Sequence, residues 1–265
     1  MRIVVCVKEV LDPDAVNNYA LVGNLKIADD GRALDVAGIP RLMNAYDEQA
    51  IEAALRIRDA GVECQITAVS IGKELKALLK HCAAMGADEV VSIDADPDTL
   101  DHHVVANVLA AYIKDSGGAD LVLCGRQASD DDQGVVPALL GEKLGMPIAP
   151  IARAIEVDDQ MLRVTQVTPD GDEIVEGAMP AVVTISNEVG DPRFPTAKAK
   201  MAARKKKPTV VSVDDLGLNE EDLAPQVVRA KQFVPEVQGN CEFIEGSSAE
   251  AAGILLEKLR GDGVI

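Results

Sequence analysis

Residues 120–137 read DLVLCGRQASDDDQGVVP, and the order of residue types in this stretch decides the fold class. Leu121-Val122-Leu123-Cys124 is a continuous apolar run rather than an alternating one, so both faces of that strand need cover. Gly125 ends the run, three aspartates stand at 130–132, and Gly134 precedes a helix-period stretch carrying Val135, Val136, Leu139, Leu140 and Leu144. A buried strand that delivers into a glycine-bearing loop and then a helix is the building unit of α/β proteins. The backbone N–H groups of such a loop can face an anion, and the phosphate of a nucleotide suits it; an ordinary strand-to-helix turn has the same composition.

Working outward, four more apolar runs share the pattern: Ile3–Val7, Ile66–Ile71, Val90–Ile93 and Ala181–Ile185. Helix-period stripes separate them, at Ile51, Ala54 and Leu55, at Leu75, Leu78, Leu79 and Cys82, and at Val104, Val105, Val108, Leu109, Tyr112 and Ile113. The expected fold is therefore α/β with a mostly parallel sheet. Residues 151–180 read as two or three short strands, with turns at Asp158-Asp159 and Asp170-Gly171-Asp172, which would give the sheet an antiparallel edge. After Ser186 regularity stops for about 45 residues, with Pro192, Pro195, Pro208, Pro225 and Pro235 scattered through. A last helix follows, with Ala252, Leu255, Leu256 and Leu259 on one face, Ser247 or Ser248 as cap, and Gly261 beyond its end. Such an arm embraces a partner or folds back on its own domain. The expected division is an α/β domain over 1–186 and a loop, arm and helix over 187–265.

The charge balance excludes some function classes. A net charge of −18 opposes general nucleic-acid binding, because phosphate backbones would be repelled. The local exception is Lys198, Lys200, Arg204, Lys205, Lys206 and Lys207, cations with no acid between them, which form either a solvated segment or a docking surface for an acidic partner. There is no Trp and there are only three Tyr and three Phe, so an adenine would rest on backbone and aliphatic walls. The opening run is too short for a signal peptide, and no apolar stretch approaches the ~20 residues of a membrane span. Five cysteines without CxxC spacing read as buried free thiols, and the expected location is cytoplasmic, without membrane insertion.

No catalytic constellation emerges: the sequence lacks GxSxG, HExxH, GxxxxGK[ST], and a GxGxxG after its first strand. Asp130-Asp131-Asp132 could ligate Mg²⁺, but acids at a helix start are expected to complement its dipole, and no metal is expected. Ligands of open α/β sheets lie beyond the carboxyl ends of the strands, here Cys6-Val7-Lys8, Val69-Ser70-Ile71-Gly72 and Gly125 onward. Asn44, before a helix starting near Asp47, offers donor and acceptor groups suited to an adenine edge.

Taken together, MRIVVCVKEV at the start, LMNAYDEQAIEAALR at 42–56, AVSIG at 68–72, CAAMGADEV at 82–90, DLVLCGRQASDDD at 120–132, DGDEIVEGAMPAVVT at 170–184 and DPRF at 191–194 resemble the β subunit of electron transfer flavoprotein, in order and nearly end to end. The resemblance implies an adenine-nucleotide α-hydrolase-like fold and a larger α subunit holding most of the electron-carrying FAD. The β subunit itself would hold AMP or, in bifurcating relatives, a second FAD. It places adenine and ribose contacts on Cys6, Asn44, Ala45, Tyr46, Asp47 and Ile71. Phosphate contacts fall on Gly125, Arg126, Gln127, Ala128, Ser129, Asp130, Asp131, Asp132, Gln133, Gly134, Val135 and Val136.

Residues from about Ile185 to Lys207 resemble the family's recognition loop, which docks acyl-CoA dehydrogenases and similar flavoenzymes. Its docking residues here are Arg193, Phe194, Ala197, Lys198, Lys200, Lys205, Lys206 and Lys207. Ala197 stands where relatives carry an anchoring leucine, which suggests another client. The implied function is an electron-carrier subunit between a flavin dehydrogenase and a quinone-linked acceptor, with no bond chemistry of its own. The alternatives are a bifurcating complex whose β subunit holds its own FAD and oxidises NADH, and a stand-alone nucleotide-binding stress-type protein. Asp131, where many bifurcating relatives have glycine, favours AMP.

Overall fold

The computed structural model describes residues 1–234 and 241–265, so Pro235 and the arm at 235–240 lie outside the described residues. Two compact units divide the chain, Met1–Gln232 and Phe233–Ile265. In chain order the first contains β1 (Arg2–Cys6), β2 (Glu9–Leu11), α1 (Pro13–Leu21), β3 (Arg41–Met43), α2 (Ala45–Asp59), β4 (Gln65–Ile71), α3 (Lys76–Met85), β5 (Glu89–Asp94) and α4 (His102–Asp115). It continues with β6 (Leu121–Gly125), α5 (Val136–Leu144), β7 (Ile148–Asp158), β8 (Met161–Thr168), β9 (Gly171–Ala178), β10 (Ala181–Ile185), α6 (Ala197–Lys205) and β11 (Thr209–Ser212). The second contains α7 (Ser248–Gly261).

Continuous apolar runs become strands covered on both faces. Along β1 and β6, Ile3, Val5, Leu121 and Leu123 pack with α2 and α3, while Val4, Cys6, Val122 and Cys124 pack with α4 and α5. Each fully buried Val, Leu or Ile contributes roughly 1.5–3 kcal/mol, so the two cores lock this register. The sheet runs β11-β5-β4-β1-β6-β10-β7-β8-β9. It is parallel from β11 through β7, and β8 and β9 continue it antiparallel. The five predicted runs are β1, β4, β5, β6 and β10, all parallel.

Residues 151–180 hold three strands longer than expected, because β7 begins at Ile148 and pairs first with β10 and then with β8. The change of partner falls at Ile151, whose φ is 54° and whose amide donates to Thr184 Oγ1 at 2.7 Å.

The stretch expected to be irregular after Ser186 is partly ordered. Thr196 Oγ1 accepts from the Ala199 amide at 3.1 Å and caps α6, a helix whose one buried side chain is Ala203. Its polar composition and small apolar residues give it no stripe of large side chains to mark it in sequence. β11 is an edge strand of four residues on β5, too short to register as an apolar run. Residues 217–232 lie back on the α/β body: Asn107 Nδ2 donates to Asp222 O at 2.7 Å, and the Gln226 and Val227 amides donate to Asp101 Oδ2.

In the second unit, Ser247 and Glu250 form a reciprocal capping box on α7, and Lys258 pairs with Glu242 at 2.8 Å. Gly261 is the helix's last residue rather than its neighbour. Among the described residues no helix is long and apolar enough to cross a membrane.

Candidate functional site

The chain builds outward from β1 to β4 and β5, then returns to place β6 and β10 on the other side of β1. The connections leaving β1 and β6 therefore diverge at their carboxyl ends, the place where open α/β sheets take their ligands. The N-terminus of α2 stands beside it.

Asp47, in the first turn of α2, ties the two strand ends together. Its Oδ2 accepts from the Lys8 amide at 2.8 Å and its Oδ1 from the Gly125 amide at 2.9 Å. A side chain on Gly125 would set its Cβ 2.4 Å from Asp47 Oδ1 and 2.7 Å from Tyr46 Cβ, so this close approach requires glycine. Burial pushes the Asp47 carboxyl up to about 7, against the opposing pull of the Lys8, Asn44 and Gly125 hydrogen bonds.

Asn44 precedes the same helix but does not cap it. Its buried side chain reaches across instead, with Nδ2 donating to Gln127 O at 2.8 Å and Oδ1 accepting from the Ser129 amide at 3.2 Å. Both groups proposed for an adenine edge are thus engaged by the loop, which leaves Asn44 as a brace.

The loop after Gly125 is closed on itself. The Asp132 amide donates to Ala128 O at 2.8 Å, and Gln127 Nε2 donates to Asp132 Oδ1 at 2.9 Å. Gly134 has φ +61°, and a Cβ there would stand 2.7 Å from Arg126 O. The Arg126 guanidinium lies 5.4 Å from the centroid of the Tyr46 ring.

The aspartates do not cap α5 as expected, because that helix begins only at Val136 and has no acid in its first turn. Asp130 and Asp131 pair instead with Lys8 Nζ, at 2.8 and 3.5 Å. Among the described residues the Gly134, Val135 and Val136 amides make no hydrogen bond, and the buried Ser129 Oγ has no partner. The three amides, at the start of α5, can receive an anion.

Cys6, Asn44–Asp47 and residues 125–136 thus meet at one mouth, with half-buried Ile71 ending the neighbouring strand β4. Cys6 and Cys124 are direct partners across β1 and β6. The hydrogen bond from Cys6, then burial, holds the Cys124 thiol well above its usual range. Cys64 is half-buried and Cys241 exposed, so not all five thiols are buried as expected.

A second group of expected residues lies along α2. Arg193 is not presented outward as a docking residue: its Nε and Nη2 donate to Glu52 at 2.8 and 3.1 Å, and Nη2 donates to Asp59 at 2.7 Å. Burial acts to raise the Glu52 carboxyl, but hydrogen bonds from Arg193 and Arg56 outweigh it and hold the carboxyl below its ordinary range. Arg56 also donates to Val189 O, fixing the segment at a second point. Lys206 is likewise turned inward, donating to Ala87 O at 2.9 Å. Phe194 is 93% exposed, and Ala197, Lys198, Lys200, Lys205 and Lys207 are exposed with it. Sequence reasoning missed Glu52. Its signal was its place four residues before Arg56, the spacing at which an acid and a base meet on one helix face.

The electron transfer flavoprotein domain model matches residues 33–216. The caffeyl-CoA reductase-Etf complex subunit CarD of Acetobacterium woodii is 33% identical over 273 aligned residues, spanning 100% of both chains. Electron transfer flavoprotein subunit beta of Bacillus subtilis is 31% identical with 91% of each chain covered. That of Thermoanaerobacterium thermosaccharolyticum is 31% identical with 100% covered. The chain belongs to the electron transfer flavoprotein family.

Proposed function

We propose that this chain is the β subunit of a heterodimeric electron transfer flavoprotein and holds AMP at the mouth of β1 and β6. FAD, carried mainly by the α subunit, would supply the electron storage. A flavin dehydrogenase of the acyl-CoA dehydrogenase type would deliver electrons, a quinone-linked oxidoreductase would accept them, and the complex would work in the cytoplasm. The observation that supports the reading is the closed loop 125–136, whose Gly134, Val135 and Val136 amides and buried Ser129 Oγ make no hydrogen bond among the described residues. A phosphate satisfies such groups, and the adenine beyond it would rest on backbone and aliphatic walls.

This chain's residues bind and orient. Asp47 and Asn44 fix the loop, the glycines at 125 and 134 let backbone approach backbone, and Glu52 with Arg193 sets the base from which Phe194 and α6 extend.

A second reading takes its support from the 33% identity to a reductase-Etf complex subunit. In that reading a second FAD occupies the same mouth, and the partner is a reductase held in a stable complex. The purified αβ pair, denatured and assayed for released nucleotide, separates the two. One AMP and one FAD per pair supports the first reading, and two FAD with no AMP supports the second. A pair that releases no adenine nucleotide beyond the α subunit's FAD overturns both. Ser129→Ala should leave unfolding unchanged and loosen the bound adenylate about fivefold, the scale of one lost hydrogen bond.

A further inference from the structure

In sequence Lys8 is only the end of a strand, yet among the described residues it is the one cation that crosses from the end of β1 to pair with the loop after β6. Its main chain is fixed at both polar groups: the amide donates to Asp47 Oδ2 at 2.8 Å, and the carbonyl accepts from the Asn44 amide at 3.0 Å. The side chain then reaches Asp130 Oδ1 at 2.8 Å and Asp131 Oδ2 at 3.5 Å. The loop itself carries three carboxylates, at 130, 131 and 132, against the single guanidinium of Arg126. Asp132 is engaged by Gln127, and Arg126 stands over Tyr46. Without Lys8, an entering phosphate would meet an uncompensated acidic loop.

We propose that Lys8 is a positioning residue that lets an acidic loop hold a phosphate, by cancelling the charge of Asp130 and Asp131 and fixing their side chains. This rests on the nucleotide-binding reading of the mouth. The ammonium and both carboxylates are partly exposed, so the pair adds little to folding, and its effect falls on the anion. Such compensation is electrostatic: it is weakened by salt and made unnecessary when the carboxylates are neutral.

The test compares AMP binding, by calorimetry, to αβ pairs freed of nucleotide. Lys8→Met should weaken AMP about tenfold while thermal unfolding stays unchanged, and Lys8→Arg should restore most of the loss. Adding Asp130→Asn and Asp131→Asn to Lys8→Met should recover binding to within about threefold of the parent, and raising salt should shrink the Lys8→Met deficit. If the triple variant stays as weak as Lys8→Met, or if Lys8→Met binds like the parent, the proposal is overturned while the nucleotide site stands. A parent pair that binds neither AMP nor FAD at this mouth overturns both.

Discussion

The mouth at 125–136 and the segment at 187–207 hang from the same helix but are held in opposite styles. At the N-terminus of α2, Asn44 and Asp47 grip main-chain groups of the loop, and both side chains are buried. Eight residues beyond Asn44, about 12 Å of helix rise, Glu52 takes the Arg193 amide at 3.1 Å but holds the segment chiefly through the Arg193 guanidinium, whose far end Asp59 holds in solvent. The first arrangement fixes backbone and leaves amides ready for a ligand. The second fixes only the base of a segment and leaves Phe194 almost fully exposed at its tip. On the proposed reading, the nucleotide mouth and the docking surface would thus be set at a constant spacing by one helix.

Breaking the first grip has the largest expected effect. Asp47→Ala strips the acceptor from the Lys8 and Gly125 amides, and should cost about 3 kcal/mol in urea unfolding along with the bound nucleotide. Asp47→Asn keeps one of the two acceptors and turns its NH2 on the other amide, a cost that does not vary with pH, so the pH-dependent part of its effect reports the charge. Folded Asp47 titrates near 7, and an unfolded aspartate near 4. Between those values the folded chain binds more protons than the unfolded one. Its stability therefore falls as pH rises, by up to about 1.4 kcal/mol per unit, and the loss is complete above 7. The stability difference between parent and Asp47→Asn should decline from about pH 5 to 7 and level off by 8. A difference independent of pH would show that Asp47 stays ionised throughout.

The second grip should prove weaker, because Arg193 is partly in water. Arg193→Met leaves the buried Glu52 carboxylate with Arg56 and the amide of residue 193 but no guanidinium from that segment, and should cost about 1–3 kcal/mol. Adding Glu52→Gln removes the stranded charge, so the double variant should be more stable than Arg193→Met. If it is less stable, the two residues do not act as a pair. Nucleotide content should be unchanged in both, since their contacts lie outside the mouth.

The contrast also explains what could be read in advance. The parallel core was legible because β1, β4, β5, β6 and β10 are covered on both faces and therefore written as unbroken apolar runs. The mouth was legible as a loop of glycines and acids, yet what each residue does there was not. Asn44 and Asp47 are ordinary helix-start residues in sequence, and only the return of the chain to β6 gives them Gln127, Ser129 and Gly125 as partners. The aspartates at 130–132 were expected at the start of a helix that in fact begins at Val136, because a closed loop and a first turn have the same composition. α6 was invisible for a different reason: it is only nine residues long, it buries only Ala203, and its apolar positions are alanines and one exposed methionine, so no large apolar stripe marks it.

The smallest structural effect is expected at the exposed tip. Lys206 is committed to Ala87 O, so the variant to compare is Lys205→Glu with Lys207→Glu, both in water. Stability should change by less than about 0.5 kcal/mol. Stopped-flow reduction of the αβ pair by an acyl-CoA dehydrogenase-type enzyme that reduces the parent should slow at low salt, and its dependence on ionic strength should flatten, because steering by rim charge acts on association. If the rate and its salt slope are unchanged, the lysines are solvated surface and Phe194 alone is left to mark the docking face. Arg193→Met run in the same assay sharpens the result. Loss of direction at the segment's base slows electron transfer at every salt concentration, whereas loss of charge slows it only where charge is felt.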